Sequence, residues 1–356
     1  MTSRMHNSPQ ATGFSLRVRT QVHSRAALPR PQLSNRRKSL SHPYMVVRMS
    51  ALSGIMEKAA NANAELLARK EGSSLIGKKS GLQPLKGFPM STLEDKADKV
   101  VTVLQQNGVI CMRKALSEEM CDQLLAHVNE ESERGKAEVE TGKVEFDERF
   151  GGVNCRGLNG TFGYRQDMFL SMESETVQAG LKEAIQNLGP LLQGACSREG
   201  MLHEISSIVS DPKSPRQCIH ADTIFLPSKQ FPVPMKPLYT LFFALQDITD
   251  DMGHTTYLPR THTERAHELW NTTPKQKEAF IAAQPAVISS LNKGDVAIFD
   301  SRLLHCGGAN ISNKRRVLFY FTVSEDQRWP LPNGLHGSNS VRSADRWQWR
   351  LCDLGL

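Results

Sequence analysis

Hydrophobic positions follow a helical period up to about residue 200 and a strand period after it. Leu93, Ala97, Val100, Val101 and Leu104 recur at helical spacing. Thr92 with Asp95 three residues on reads as the start of that helix, and Asn107-Gly108 as its stop. Val109 to Met112 is a short apolar run that predicts a strand. Ser117 then caps a second helix with a stripe of Met120, Cys121, Leu124, Leu125 and Val128. A third amphipathic helix is predicted through Val177, Leu181, Ala184, Ile185, Leu188 and Leu192. Beyond residue 200, short β-rich runs alternate with Pro and Gly. They are Ile205–Val209, Ile219–Leu226, Tyr239–Leu245, Ala286–Ser290, Val296–Phe299 and Val317–Val323.

Helices followed by many short strands predict one mainly-β or α+β domain, a sandwich or barrel over 92–356. Residues 49–91 read as a short Ala-rich helix and a Gly/Ser/Lys linker. No apolar run approaches the roughly 18 residues that a membrane helix needs.

Charge changes the picture only at the N-terminus. The chain has 356 residues and a formal net charge of +7, but residues 1–56 carry eight Arg and one Lys and no acid before Glu57. Without those nine, 35 basic residues face 37 acidic ones, so the body is near neutral and gives no reason to expect nucleic acid. An acid-free segment rich in Arg and Ser predicts an organelle transit peptide over 1–48. Its polar, turn-prone opening favours the plastid over the mitochondrion, and Val46-Val47-Arg48-Met49-Ser50-Ala51 resembles a plastid processing site. Arg25 with Gln32-Leu33 is a near miss to a peroxisomal address, since Ala26 stands where a larger aliphatic residue is wanted. Seven scattered cysteines without a C-x-x-C predict neither a disulfide framework nor a zinc ribbon.

Candidate chemistry starts at Ile219-His220-Ala221-Asp222-Thr223. On a strand, positions i and i+2 share a face, so His220 and Asp222 present an imidazole and a carboxylate together. One further histidine would complete a two-histidine, one-carboxylate face that leaves coordination positions open on a metal. His305 follows an apolar run and precedes Cys306-Gly307-Gly308. Arg315-Arg316 then leads the apolar run Val317–Phe321, and an arginine entering a buried strand needs an anion. The second H-x-[DE], His262-Thr263-Glu264, stands at a predicted helix start, so Glu264 reads as a first-turn carboxylate and His262 as structural. Arg156, Arg165 and Gln166 lie in a Gly-rich stretch that is a candidate substrate mouth, with a solvated loop as the plainer reading.

Over residues 95–325 these features resemble the phytanoyl-CoA dioxygenase-like family of 2-oxoglutarate- and Fe(II)-dependent oxygenases. The likeness rests on Asn107-Gly108 with its strand, on Met252 to His262, on His220-Ala221-Asp222, and on His305 to Asn310 with the arginine after it. The resemblance implies a double-stranded β-helix (a cupin-like jelly roll). It implies Fe(II) held by His220, Asp222 and His305, and 2-oxoglutarate anchored by Arg315, with Arg316 as the rival. It further implies O₂ as co-reactant, support by ascorbate, and oxidation, most often hydroxylation, of a C–H bond in a small organic substrate, with succinate and CO₂ formed. Asp222 fits oxygen transfer, since halogenating members lack that carboxylate. A plastid address would add lipids, pigments and other isoprenoids as candidate substrates. Two rivals are a cupin-like hydrolase or isomerase using Zn or Mn, and an interaction module without activity; the arginine after His305 argues against both.

Overall fold

The computed structural model describes residues 82–151, 162–223, 225, 236–325 and 349–356. The readings of 1–81 and of Arg156 lie outside these residues.

The N-terminal part forms as its spacing requires. Strands β1 (Gln83–Pro84) and β2 (Gly87–Pro89) precede helix α1 (Thr92–Asn107), which buries Leu93, Val100, Val101 and Leu104. The end of the expected linker is thus paired: β1 runs beside Val287–Ile288 and β2 beside Val109–Arg113, which is β3. Ser91, not Thr92, occupies the N-cap position of α1. Gly108 ends the helix at φ 76°, a left-handed conformation that glycine adopts freely. Helix α2 (Glu118–Glu140) starts as expected, with Ser117 Oγ accepting from Met120 N at 3.2 Å. A short helix α3 (Phe146–Arg149) and strands β4 (Phe150–Gly151) and β5 (Arg165–Phe169) follow. The expected third helix is two, α4 (Glu175–Asn187) and α5 (Gly189–Cys196). Gly189-Pro190 breaks it, because proline has no N–H to give a preceding turn and prefers the first turn of a new helix.

The remaining strands and α-helices are β6 (Met201–Ser210), β7 (Tyr239–Ala244), β8 (Thr255–Tyr257), α6 (Glu264–Trp270), α7 (Pro274–Ala283), β9 (Val287–Ile288), β10 (Val296–Asp300), β11 (His305–Gly307) and β12 (Arg316–Ser324). The large sheet runs β2-β3-β10-β7-β12-β6-β5-β4 and the small one β1-β9-β8-β11. His220 bridges to His305 and extends the small sheet past β11. From β6 onward the chain therefore passes between the sheets: β6 large, His220 small, β7 large, β8 and β9 small, β10 large, β11 small, β12 large. That winding is the double-stranded β-helix, or jelly roll.

Alternation on β12 divides the core. Val317, Phe319, Phe321 and Val323 pack toward Leu104, Leu124 and Leu181 of α1, α2 and α4. Leu318 joins Tyr257, Ala297 and Phe299 between the sheets. Each such large side chain contributes about 1.5–3 kcal/mol on burial.

Backbone segments cross tightly beside the small sheet. Gly253 sits at φ +79°, and a Cβ there would lie 2.3 Å from Ala309 O. Gly253→Ala is expected to lower stability by about 1–3 kcal/mol, combining left-handed strain with a backbone clash. The urea midpoint of the full-length protein checks this, and an unchanged midpoint would show that the crossing relaxes at no cost.

Candidate metal centre

His305 N donates to His220 O at 2.8 Å and His220 N to His305 O at 2.9 Å. This mutual pair sets the two imidazoles side by side, with centroids 4.5 Å apart. The ladder ends there. Asp222 lies in a bend past His220, so it reaches the same site without the strand alternation expected of it. Thr223 N then donates to Ser301 O at 3.0 Å and ties the bend to the segment before β11.

The two histidines share one tautomer for one reason. His220 Nδ1 lies 2.9 Å from Cys218 O and His305 Nδ1 lies 2.8 Å from Leu303 O. A carbonyl only accepts, so each Nδ1 carries the proton and each Nε2 offers its lone pair. Both Nε2 atoms stand 3.5 Å from Asp222 Oδ1. One ligand atom from each of the three residues fits within 4.8 Å of the others. Burial pushes His305 down to about 4, which keeps it a neutral donor. Desolvation opposes charge on Asp222, but His305 and His220 outweigh it and hold the carboxyl below its ordinary range. Desolvation opposes charge on His220 too, but the contact with Asp222 raises it above its ordinary value, so a metal would displace a proton there. Two imidazoles with Nδ1 held by carbonyls and one carboxylate suit a divalent transition metal. Phe299 and Tyr257 cover the His305 ring, at 4.8 and 5.9 Å between centroids.

The triad opens on a cavity of about 340 Å³ between the sheets. Arg316, 1% exposed, lines it. Its Nη2 donates to Ser210 Oγ at 3.0 Å, its Nη1 donates to Gly253 O, and its Nε has no hydrogen-bond partner. Among the described residues no carboxylate pairs with it, and burial, then the nearby Arg165, lower its pKa to about 9. A buried guanidinium in that condition suits an anionic ligand. Arg165 lines the same end, donating to Ser210 Oγ, Pro215 O and Gly308 O at 3.1, 3.0 and 2.8 Å.

Two expectations are corrected by strand parity. Arg315, expected above to anchor 2-oxoglutarate with Arg316 as its rival, lies outside the cavity. It precedes β12, and its guanidinium meets Asp211 Oδ1 at 2.5 Å, Glu133 Oε1 at 2.9 Å and Asn129 Oδ1 at 3.1 Å. Arg316 is in register with Ser210 and shares its face with Leu318 and Tyr320. Gln166 likewise points away from the cavity, donating to Gly163 O at 2.5 Å, while Arg165 and Asp167 on either side line it.

Sequence reasoning missed Asn310 and Gln217. Fully buried Asn310 donates to Ser210 O and Lys314 O, at 2.9 and 2.8 Å, and accepts from Ser312 Oγ at 2.7 Å, so it closes the turn that sets the register of Arg316. An Asn after Gly-Gly-Ala, with Ser two residues on, was the available signal. Gln217 Oε1 accepts from Gly307 N at 2.8 Å, where a Cβ on Gly307 would lie only 2.6 Å from that oxygen. The decoys behave as read: Thr263 caps α6 with Glu264 in its first turn, and His262 Nε2 donates to Gln105 O at 3.0 Å.

The chain belongs to the phytanoyl-CoA dioxygenase (PhyH) family, whose model matches residues 104–318, more than half of it. Two curated relatives are the iron/alpha-ketoglutarate-dependent dioxygenases ausO and ausU of Aspergillus calidoustus, 28% and 30% identical over 120 residues. The matched stretch is 32% of this chain and spans 38% and 36% of those proteins, well short of their full lengths. Among solved structures, SnoK, a non-heme alpha ketoglutarate dependent carbocyclase from nogalamycin biosynthesis, aligns at TM-score 0.48 and 19% identity over 65% of this chain and 85% of its own. AviO1 from Streptomyces viridochromogenes Tue57 aligns at TM-score 0.46 and 15% identity, over 64% and 95%.

Proposed function

We propose that this protein is an Fe(II)- and 2-oxoglutarate-dependent dioxygenase that oxidises a small organic substrate, most simply by hydroxylation. One observation carries the reading: the His220/Asp222/His305 triad and the buried Arg316 guanidinium, which no carboxylate among the described residues pairs, line one cavity. Fe(II) bound to the triad supplies the redox chemistry that turns 2-oxoglutarate and O₂ into succinate and CO₂ while a C–H bond is oxidised.

The residues divide the remaining work. Cys218 O and Leu303 O hold the imidazole protons, so that both Nε2 atoms stay available. Arg316 takes the distal carboxylate of 2-oxoglutarate, and Arg165 adds positive charge at the same end. Phe299 and Tyr257 shield the His305 side of the site from water. The family membership and the names of the two fungal relatives support this reading. A hydrolytic Zn or Mn centre would leave the anion site at Arg316 without a purpose.

The purified full-length protein is expected to convert 2-oxoglutarate to succinate slowly without added substrate, only with Fe(II) and O₂, and for longer with ascorbate. Succinate and CO₂ are the readouts. Equal turnover with Zn in anaerobic buffer would end the dioxygenase reading.

A further inference from the structure

The cavity does not stop at the arginines. Arg316, Leu318, Tyr320 and Thr322 line it along one face of β12, a run of about 20 Å at ~3.3 Å per residue. Arg316 and Arg165 mark one end. Asp167 and Glu204 also line it, but both are engaged within the chain, with Tyr320 Oη 2.8 and 2.9 Å from their carboxyl oxygens. They give no indication of what a ligand carries.

The end away from the arginines is a wall of hydroxyls. Thr322 is in register with Thr240 of β7, and Thr240 Oγ1 lies 2.8 Å from Ser301 Oγ. Ser301 O in turn accepts from Thr223 N at 3.0 Å, so the wall reaches from β12 to the residue beside Asp222. All four side chains are buried and line the cavity. Thr322 is 3% exposed and Thr223 1%, and neither Oγ1 has a hydrogen-bond partner. In the Thr240–Ser301 contact one hydroxyl donates and the other accepts. Four hydroxyl protons and one hydrogen bond leave three protons without an acceptor. Buried polar groups in native proteins are normally satisfied, and buried donors go unmet more rarely than buried acceptors. Leu238 and Phe242, two residues to either side of Thr240, line the same cavity and frame the wall with apolar side chains.

On the reading that 2-oxoglutarate occupies the arginine end, we propose that this hydroxyl wall is the substrate subsite and that it takes an uncharged carbonyl oxygen carried on an apolar skeleton. A carbonyl oxygen brings two lone pairs and no proton, so it accepts from two hydroxyls and adds no unmet donor. An alcohol brings a proton of its own to a wall that already has protons to spare. An amine brings more still, and its charge finds no unpaired acid among these four side chains. A carboxylate is drawn to Arg316 at the other end, and beside Thr223 it meets the carboxylate of Asp222. Thr223 adjoins Asp222, so a carbonyl held at this wall brings the carbons next to it near the metal triad.

The test uses full-length protein loaded with Fe(II) and 2-oxoglutarate under anaerobic conditions at neutral pH, titrated calorimetrically. Cyclohexyl methyl ketone, the corresponding secondary alcohol and the corresponding amine share one skeleton and differ in the group presented. The ketone is expected to bind at least about ten-fold more tightly than the amine, with the alcohol between them. Thr322→Val and Thr223→Val keep the side-chain shape and remove one hydroxyl each. Each should weaken the ketone by about three- to ten-fold and leave the amine no weaker. Thermal melts confirm the fold, and either variant tests the wall should the other fail to fold. No measurable ketone binding, an alcohol or amine that binds as tightly, or a ketone affinity unchanged in both variants would overturn the subsite. A loss shared equally by all three probes would overturn it too. 2-Oxoglutarate binding is followed in the same samples. Its absence would overturn the proposed function while the ketone ranking still decides the subsite; its presence without a ketone preference would overturn the subsite alone.

Discussion

Arg316→Ala is expected to leave metal binding in place while affinity for 2-oxoglutarate collapses. Removing one partner of a buried charge pair typically costs about 2–5 kcal/mol, or roughly 30-fold to several thousand-fold in affinity. The side chain is 1% exposed, so no surface cation can replace it, and its Nε has no partner to lose. Arg316→Lys should recover part of the affinity, because an ammonium keeps the charge but not the two-pronged geometry. Arg315→Ala is the control. It breaks the contacts to Asp211 and Glu133, which are part exposed, and should cost about 1 kcal/mol of stability with little change in 2-oxoglutarate affinity. Anaerobic equilibrium dialysis with labelled 2-oxoglutarate separates the two, and thermal melts exclude loss of fold. A larger affinity loss in Arg315→Ala would show that the cosubstrate sits outside the cavity that Arg316 lines.

That pair of arginines marks where the sequence stops being legible. Local pattern located the helix stripes, the cap at Ser117, the stop at Gly108 and the strands around 205, 241, 298 and 320, because each depends on residues close in the chain. The placing of His220 and Asp222 together was also correct, although by a different route: only His220 is in the ladder, and Asp222 arrives through a bend. The parity of β12 was not legible. It is set by Asn310, whose side chain closes the turn over Ser210 O and Lys314 O, a contact 100 residues apart in the chain for Ser210. One residue of slip exchanges the two faces of a strand, so an error of one sent the wrong arginine inward. The same parity sets Tyr320 and Thr322 into the cavity, which no reading of local pattern could give without first knowing which arginine was buried.

Asp222→Ala is expected to cost at least about 100-fold in Fe(II) affinity, more than loss of an outer hydrogen-bond partner of a metal ligand usually costs, and to abolish succinate formation. The two Nε2 atoms each lie 3.5 Å from Asp222 Oδ1, so the carboxylate is the one group common to both imidazoles and the one that brings negative charge to the metal. Without it two neutral donors remain, too few to hold a divalent ion firmly against water. His305→Ala should be as damaging to the metal and worse for the fold, since that ring fills space against Phe299 and Tyr257. Cys218→Ser is the informative comparison. Cys218 is exposed and close in sequence, but only its carbonyl serves the site, accepting the His220 Nδ1 proton. Among the described residues, the triad is the one group of three or more metal-binding side chains, so the thiol should be dispensable. Metal content after dialysis against Fe(II), with competition by a chelator, gives the affinities directly. If Asp222→Ala keeps its iron while Cys218→Ser loses it, sulfur rather than the carboxylate completes the coordination, and the site must be rebuilt as a His₂Cys centre with different chemistry.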